Sequence, residues 1–121
     1  MIDTEGLTHI HLLVSDLDRS LAFYKEVFGL EEQFRAGPTM VFLRTPGSTD
    51  TITINEDPNE RHRVGRGGID HFGFRLKGGV DLDKAIAEVV EAGGQLVERG
   101  EHGPGSSYAY VSDPDGYLIE L

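Results

Sequence analysis

The sequence predicts an α+β protein made of two tandem βαβββ modules, whose sheets meet around a cleft as a partly open, mixed β-barrel with the helices outside. Three observations predict it. Gly6-Leu7-Thr8-His9 is answered by Gly68-Ile69-Asp70-His71, and DLDRSLAFYKEVFG (16–29) is answered by DLDKAIAEVVEAGG (81–94). Each helical stretch is followed by three short strand patterns. Duplication of this kind sets the architecture before any single element does. The first module spans about 5–56, a polar linker without periodicity 57–67, and the second module about 68–121, together forming one domain.

Each element has a local reason. LTHIHLLV (7–14) alternates, with Ile10, Leu12 and Val14 on one face and Leu7, His9, His11 and Leu13 on the other. Asp16 can N-cap a helix whose stripe is Leu17, Leu21, Phe23, Tyr24, Val27 and Phe28, and Gly29 can end it. Strands are expected over 30–35, 40–44 after the Gly37-Pro38 turn, and 51–55 after PGSTD. In the second half, GIDHFGFRL (68–76) reads as a strand with Phe72, Phe74 and Leu76 opposite Ile69, His71, Gly73 and Arg75. Asp81 caps a helix that turns Leu82, Ile86, Val89 and Val90 inward and ends at Gly93. Gln95–Glu98 is a strand and GEHGPGS a loop. YAYVSDPDGYLIEL (108–121) then closes the chain as a hairpin, with strands at 108–112 and 117–121.

Composition narrows the function classes. At 121 residues the chain can bury a core without staples, and with no cysteine it has neither disulfides nor thiolate ligands. Eleven basic side chains against 21 acidic ones give a net charge of −10, which argues against nucleic acid or an anionic membrane as partner. No apolar run approaches the ~20 residues of a membrane span, and the acidic N-terminus is unlike a signal peptide. A cytoplasmic protein acting on a small molecule is the expectation.

The alternating patterns place His9, His11, Thr53, His71, Arg75, Tyr108, Tyr110 and Glu120 on the strand faces turned away from the helices. That face is too polar for a core. A carboxylate at Glu120, flanked by Ile119 and Leu121, is expensive to bury unless something positive meets it. His9 and His71, from equivalent first strands, together with Glu120 make a 2-His-1-carboxylate set. Imidazole and carboxylate suit Fe(II), Mn, Ni or Zn, and three protein ligands leave positions open for substrate. Tyr110, ten residues before Glu120, is a candidate acid or hydrogen-bond donor, and His102 in the Gly-rich loop a candidate proton carrier. His11, Thr53, Arg75 and Tyr108 are candidate substrate contacts, Arg75 for an anionic group. His62 reads as linker.

With these residues in hand, the chain resembles the vicinal-oxygen-chelate superfamily. That group includes glyoxalase I, extradiol ring-cleaving dioxygenases, fosfomycin-resistance thiol transferases and bleomycin-resistance proteins. The likeness covers nearly the whole chain and is most specific in DLDRSLAFYKEVFGL and YVSDPDGYLIEL. It implies paired βαβββ modules, a homodimer whose sites form between modules of different subunits, and one divalent metal held by His9, His71 and Glu120. Glyoxalase I typically adds a Glu where TITIN here offers Thr53. Extradiol dioxygenases carry a tyrosine ten residues before the Glu, as Tyr110 stands to Glu120. The resemblance therefore implies a metal-dependent enzyme of dioxygenase type, with Fe(II) favoured. The alternatives are a glyoxalase-type lyase or isomerase, and a metal-free binding protein of bleomycin-resistance type.

Overall fold

The computed structural model describes residues 1, 3, 5, 7–57, 69 and 71–121. Most of the expected linker, with His62, lies outside the described residues. The chain divides into two compact units, 1–62 and 63–121. Among the described residues no helix is long and apolar enough to cross a membrane.

The first unit runs β1 (Ile10–Val14), α1 (Leu17–Phe28), β2 (Glu31–Arg35), β3 (Met40–Arg44) and β4 (Ile52–Glu56). Its sheet has the order β1-β4-β3-β2, with β1 and β4 parallel and the other pairs antiparallel. The helix forms where its caps say it should. Asp16 accepts from the Arg19 N–H at 2.9 Å, and the Glu56 carboxylate, from β4, accepts from the Leu17 N–H at 2.8 Å, so two of the orphan donors are met. Gly29, at φ 64°, follows the last helical residue and donates to the Lys25 carbonyl. The apolar faces of strand and helix then close on one another. Leu12, Val14, Leu21, Phe23, Tyr24, Val41, Leu43, Ile52 and Ile54 are all buried.

The second unit repeats the order: β5 (Phe72–Gly73), α2 (Leu82–Glu91), β6 (Gln95–Glu101), β7 (Ser107–Ser112) and β8 (Leu118–Glu120). Its sheet is β5-β8-β7-β6, again with first and last strands parallel. Helix α2 ends in a Schellman motif: the Gly93 N–H reaches the Val90 carbonyl and the Gly94 N–H the Val89 carbonyl. Ile86, Val89, Ala109, Val111 and Ile119 form its buried set. The DPDG turn is organised by Asp113, which is buried and accepts from the Asp115 and Tyr117 backbone N–H groups.

Three expectations are corrected. The strand read over 68–76 is only Phe72–Gly73 among the described residues, because pairing to the short β8 sustains just two register partners. Val90 is 52% exposed instead of inward, since the covered stripe of α2 follows Ile86 and Val89, three apart. β6 continues to Glu101, three residues past its expected end, because Gly100 and Glu101 pair with Tyr108 and Ser107.

Candidate functional site

The carboxylate of Glu120 is the centre of the polar cluster in the second unit. β8 carries it directly across from Tyr110 in β7, the register that a ten-residue separation through the DPDG turn produces. Its neighbour on the other side is Gly73. A Cβ there would lie 3.1 Å from the Glu120 carbonyl oxygen and 3.4 Å from its Cβ, so the glycine allows β5 to approach closely.

Two imidazoles meet this carboxylate. His71 Nε2 lies 3.1 Å from Oε2, and His102 Nε2 lies 3.0 Å from Oε1. With its side chain 30% exposed, Glu120 is half-buried, and each oxygen has a partner. The hydrogen bond from His102, then that from His71 and the attraction of both rings, hold its pKa below the ordinary carboxylate value against a desolvation that raises it. The cost foreseen for a carboxylate among Ile119 and Leu121 is thus met by imidazole.

The rings around the cluster are ordered by aromatic contact. Tyr110 meets His71 edge-on at 4.9 Å between centroids, and Tyr108 stacks on His102 at 4.1 Å with 18° between planes. Tyr108 lies across its strand partner Gly100, where a Cβ would fall 2.8 Å from the phenol oxygen. The phenol donates to Glu98 at 3.4 Å. Partial burial first, then the charge of Glu98 and the hydrogen bond to it, then Glu120, raise the Tyr108 pKa above its ordinary value. Gly100 and Glu98 were not foreseen as part of this arrangement. A glycine cross-strand from an aromatic residue is the signal that marks the first of them.

A groove of about 830 Å³ opens beside this cluster. Its lining includes the polar Glu120, Tyr108, Ser106 and Ser107, the apolar Phe74, Leu76, Val80 and Leu82, and Arg75. The volume suits a small organic ligand.

The remaining candidates belong to the first unit. His9 stands exposed just before β1, with its Nδ1 bonded to the Thr8 hydroxyl at 2.9 Å. A hydrogen bond that fixes one ring nitrogen leaves Nε2 for a ligand, the orienting pattern metal-bound histidines use. His11 is exposed in β1 and pairs with Thr53 in β4. Thr53 is fully buried, and its hydroxyl has no hydrogen-bond partner among the described residues.

His71 Nε2 and Glu120 Oε2, 3.1 Å apart, have the spacing of two neighbouring donors at right angles around an ion about 2.1 Å from each. The donor types and this spacing fit a divalent metal. Among the described residues no group of three or more His, Asp or Glu is itself arranged to hold an ion, so the second unit supplies a pair of donors.

Comparison with known proteins places the chain in a family. Residues 6–121 match the model of the Glyoxalase/Bleomycin resistance protein/Dioxygenase superfamily. The chain is 35% identical over 117 residues to a manganese-dependent 2,3-dihydroxybiphenyl 1,2-dioxygenase of Geobacillus genomosp. 3, covering 93% of this chain and 35% of that one. It is 33% identical over 128 residues to a probable lactoylglutathione lyase of Vibrio cholerae, covering 95% and 88%. The chain spans less than half the length of the first two curated relatives it matches, 35% of the dioxygenase and 44% of an Arabidopsis thaliana lactoylglutathione lyase. Its fold resembles that of the E126Q mutant of the fosfomycin resistance protein FosX from Listeria monocytogenes, a complex with Mn(II) and 1S,2S-dihydroxypropylphosphonic acid. That structure has a TM-score of 0.79 at 24% identity and covers 98% and 90% of the two chains. Matched from Gly6 to its last residue, the chain belongs to the Glyoxalase/Bleomycin resistance protein/Dioxygenase superfamily.

Proposed function

We propose that the chain is a metal-dependent enzyme that binds neighbouring oxygens of a small substrate, with His9, His71 and Glu120 as metal ligands and ring-cleaving oxygenation as its reaction type. One observation carries the reading. Glu120 is a half-buried carboxylate aimed at His71 Nε2 with donor spacing, and Tyr110 stands opposite it. The manganese dependence of the dioxygenase relative supports a divalent ion, iron(II) or manganese. Thr53 supports oxygenation over isomerisation, because the position that would supply a fourth ligand, a carboxylate, carries a buried hydroxyl. A homodimer that brings His9 of one subunit to the His71–Glu120 pair of another belongs to the same proposal.

When bound, the ion would supply Lewis acidity toward two adjacent substrate oxygens. The chain's own groups do the rest. Tyr110, edge-on to His71, offers its phenol as hydrogen-bond donor or acid to substrate at Glu120. His102, steadied by the Tyr108 ring, accepts or returns a proton at Nε2. The Phe74, Leu76, Val80 and Leu82 side of the groove excludes water from the organic body of the substrate.

Elemental analysis of protein reconstituted with manganese or iron(II) under anaerobic conditions tests this. One ion per chain is expected, with affinity lowered by about 100-fold or more in Glu120→Gln and His71→Ala. Oxygen uptake with catechols is then expected, and no isomerisation of thiol adducts of α-ketoaldehydes. Wild-type protein that retains no metal would overturn the enzyme reading, and isomerisation without oxygen uptake would overturn the reaction type.

A further inference from the structure

The groove beside Glu120 has a charge arrangement that the metal reading does not use. Of the two arginines described in the second unit, Arg99 is committed to Asp83 at 2.7 Å. Arg75 is exposed and has no hydrogen-bond or ion-pair partner among the described residues. What sets Arg75 apart from the other basic side chains described in the second unit, Lys77, Lys84 and Arg99, is its place in the lining of this groove. Arg75 lines the same groove as Glu120, together with the apolar Phe74, Leu76, Val80 and Leu82 and with Ser106 and Ser107. Among the described residues no other charged side chain lines it.

These features select for a ligand with two unlike ends. A guanidinium presents paired N–H donors that match a carboxylate in a bidentate way. One guanidinium can engage one ligand carboxylate, and a second carboxylate on the ligand would find no further cationic side chain along the described lining and would be repelled by Glu120. Phe74, Leu76, Val80 and Leu82 suit an apolar body. We infer that the groove selects an organic monocarboxylate, its carboxylate at Arg75, its apolar body along these four side chains and its reacting oxygens at Glu120. This extension rests on the proposed role of Glu120.

The test separates the two claims by reading anion selectivity on metal-free protein. 4-Phenylbutyrate and 4-phenylbutanol, alike in body and differing in charge, are titrated into ¹⁵N-labelled full-length chain at low salt. The acid is expected to bind about tenfold more tightly than the alcohol. It should shift the amides of Arg75, Ser106 and Ser107, and its advantage should shrink as salt is raised. Arg75→Gln is expected to abolish that advantage while leaving the alcohol's affinity and the rest of the spectrum unchanged, and Arg75→Lys to retain part of it. Equal affinities in the wild type, or an advantage that survives Arg75→Gln, overturns the inference. Manganese titration of the same proteins reads the other claim. Binding of manganese without anion preference sinks the carboxylate selectivity alone, whereas an Arg75-dependent preference in a chain that takes up no manganese sinks the metal reading and sustains the selectivity.

Discussion

The two units fold the same strand and helix order into opposite uses of one position. In the first, β1 and β4 pair His11 with Thr53, and in the second, β5 and β8 pair Gly73 with Glu120. The next strand over places Phe42 beside Thr53 and Tyr110 beside Glu120. Thr53 is sealed, and Phe42 beside it stacks on Phe34 at 4.3 Å. Glu120 is half-open, bonded to two imidazoles and next to a groove. The first unit also buries Phe23 and Tyr24 from its helix, where the second buries Ile86 and Val89. A duplicated sheet can thus concentrate its apolar burial in one copy and its chemistry in the other, since the backbone register is the same and only the side chains decide.

The contrast can be broken most visibly at the core. Phe23 is buried against Tyr24 and Phe28, edge-on to both rings. Phe23→Ala is expected to destabilise by about 3–5 kcal/mol in urea denaturation, more than Val89→Ala in the second helix. Equal losses would show that the two units share burial evenly. A smaller effect is expected at the close approach under Glu120. Gly73→Ala puts a Cβ against backbone that cannot yield, and should cost about 1–3 kcal/mol in the same assay while weakening manganese binding. Unchanged manganese affinity would remove Gly73 from the support of the site. The smallest effect has the opposite sign. Thr53→Val keeps the shape and deletes a buried hydroxyl that has no partner among the described residues, so the variant should be more stable by about 1 kcal/mol. A loss of stability there would mean that the hydroxyl is satisfied, and that the first unit also keeps a polar site.

The legible parts of the fold were those encoded by near neighbours in the chain. The caps at Asp16 and Asp81, the glycines that end both helices, and the buried faces of β1, β7 and β8 follow from spacing of two, three or four residues. The Tyr110–Glu120 pair was legible for a related reason. Its turn, DPDG, is short and directed by Asp113, so counting along the hairpin gives the register. β6 was harder to read. Its register against β7 shifts between Leu96 and Glu98, and a bulge of this kind breaks the alternation that a pattern relies on.

What the sequence by itself determined is the duplicated architecture, the faces of the strands and the chemical types gathered at Glu120. Only the tertiary structure decided how those groups are used. His102 comes from a loop 18 residues away, and it reaches Glu120 because the long β6–β7 pairing carries the loop there and the Tyr108 ring, lying flat over Gly100, holds the imidazole in place. Arg75 has the same character. Nothing in its neighbours along the chain marks its place in the groove, and its lack of a carboxylate partner among the described residues is a property of three-dimensional distance. Periodicity is a local quantity and charge pairing is not, so the first can be read along the chain and the second only across it.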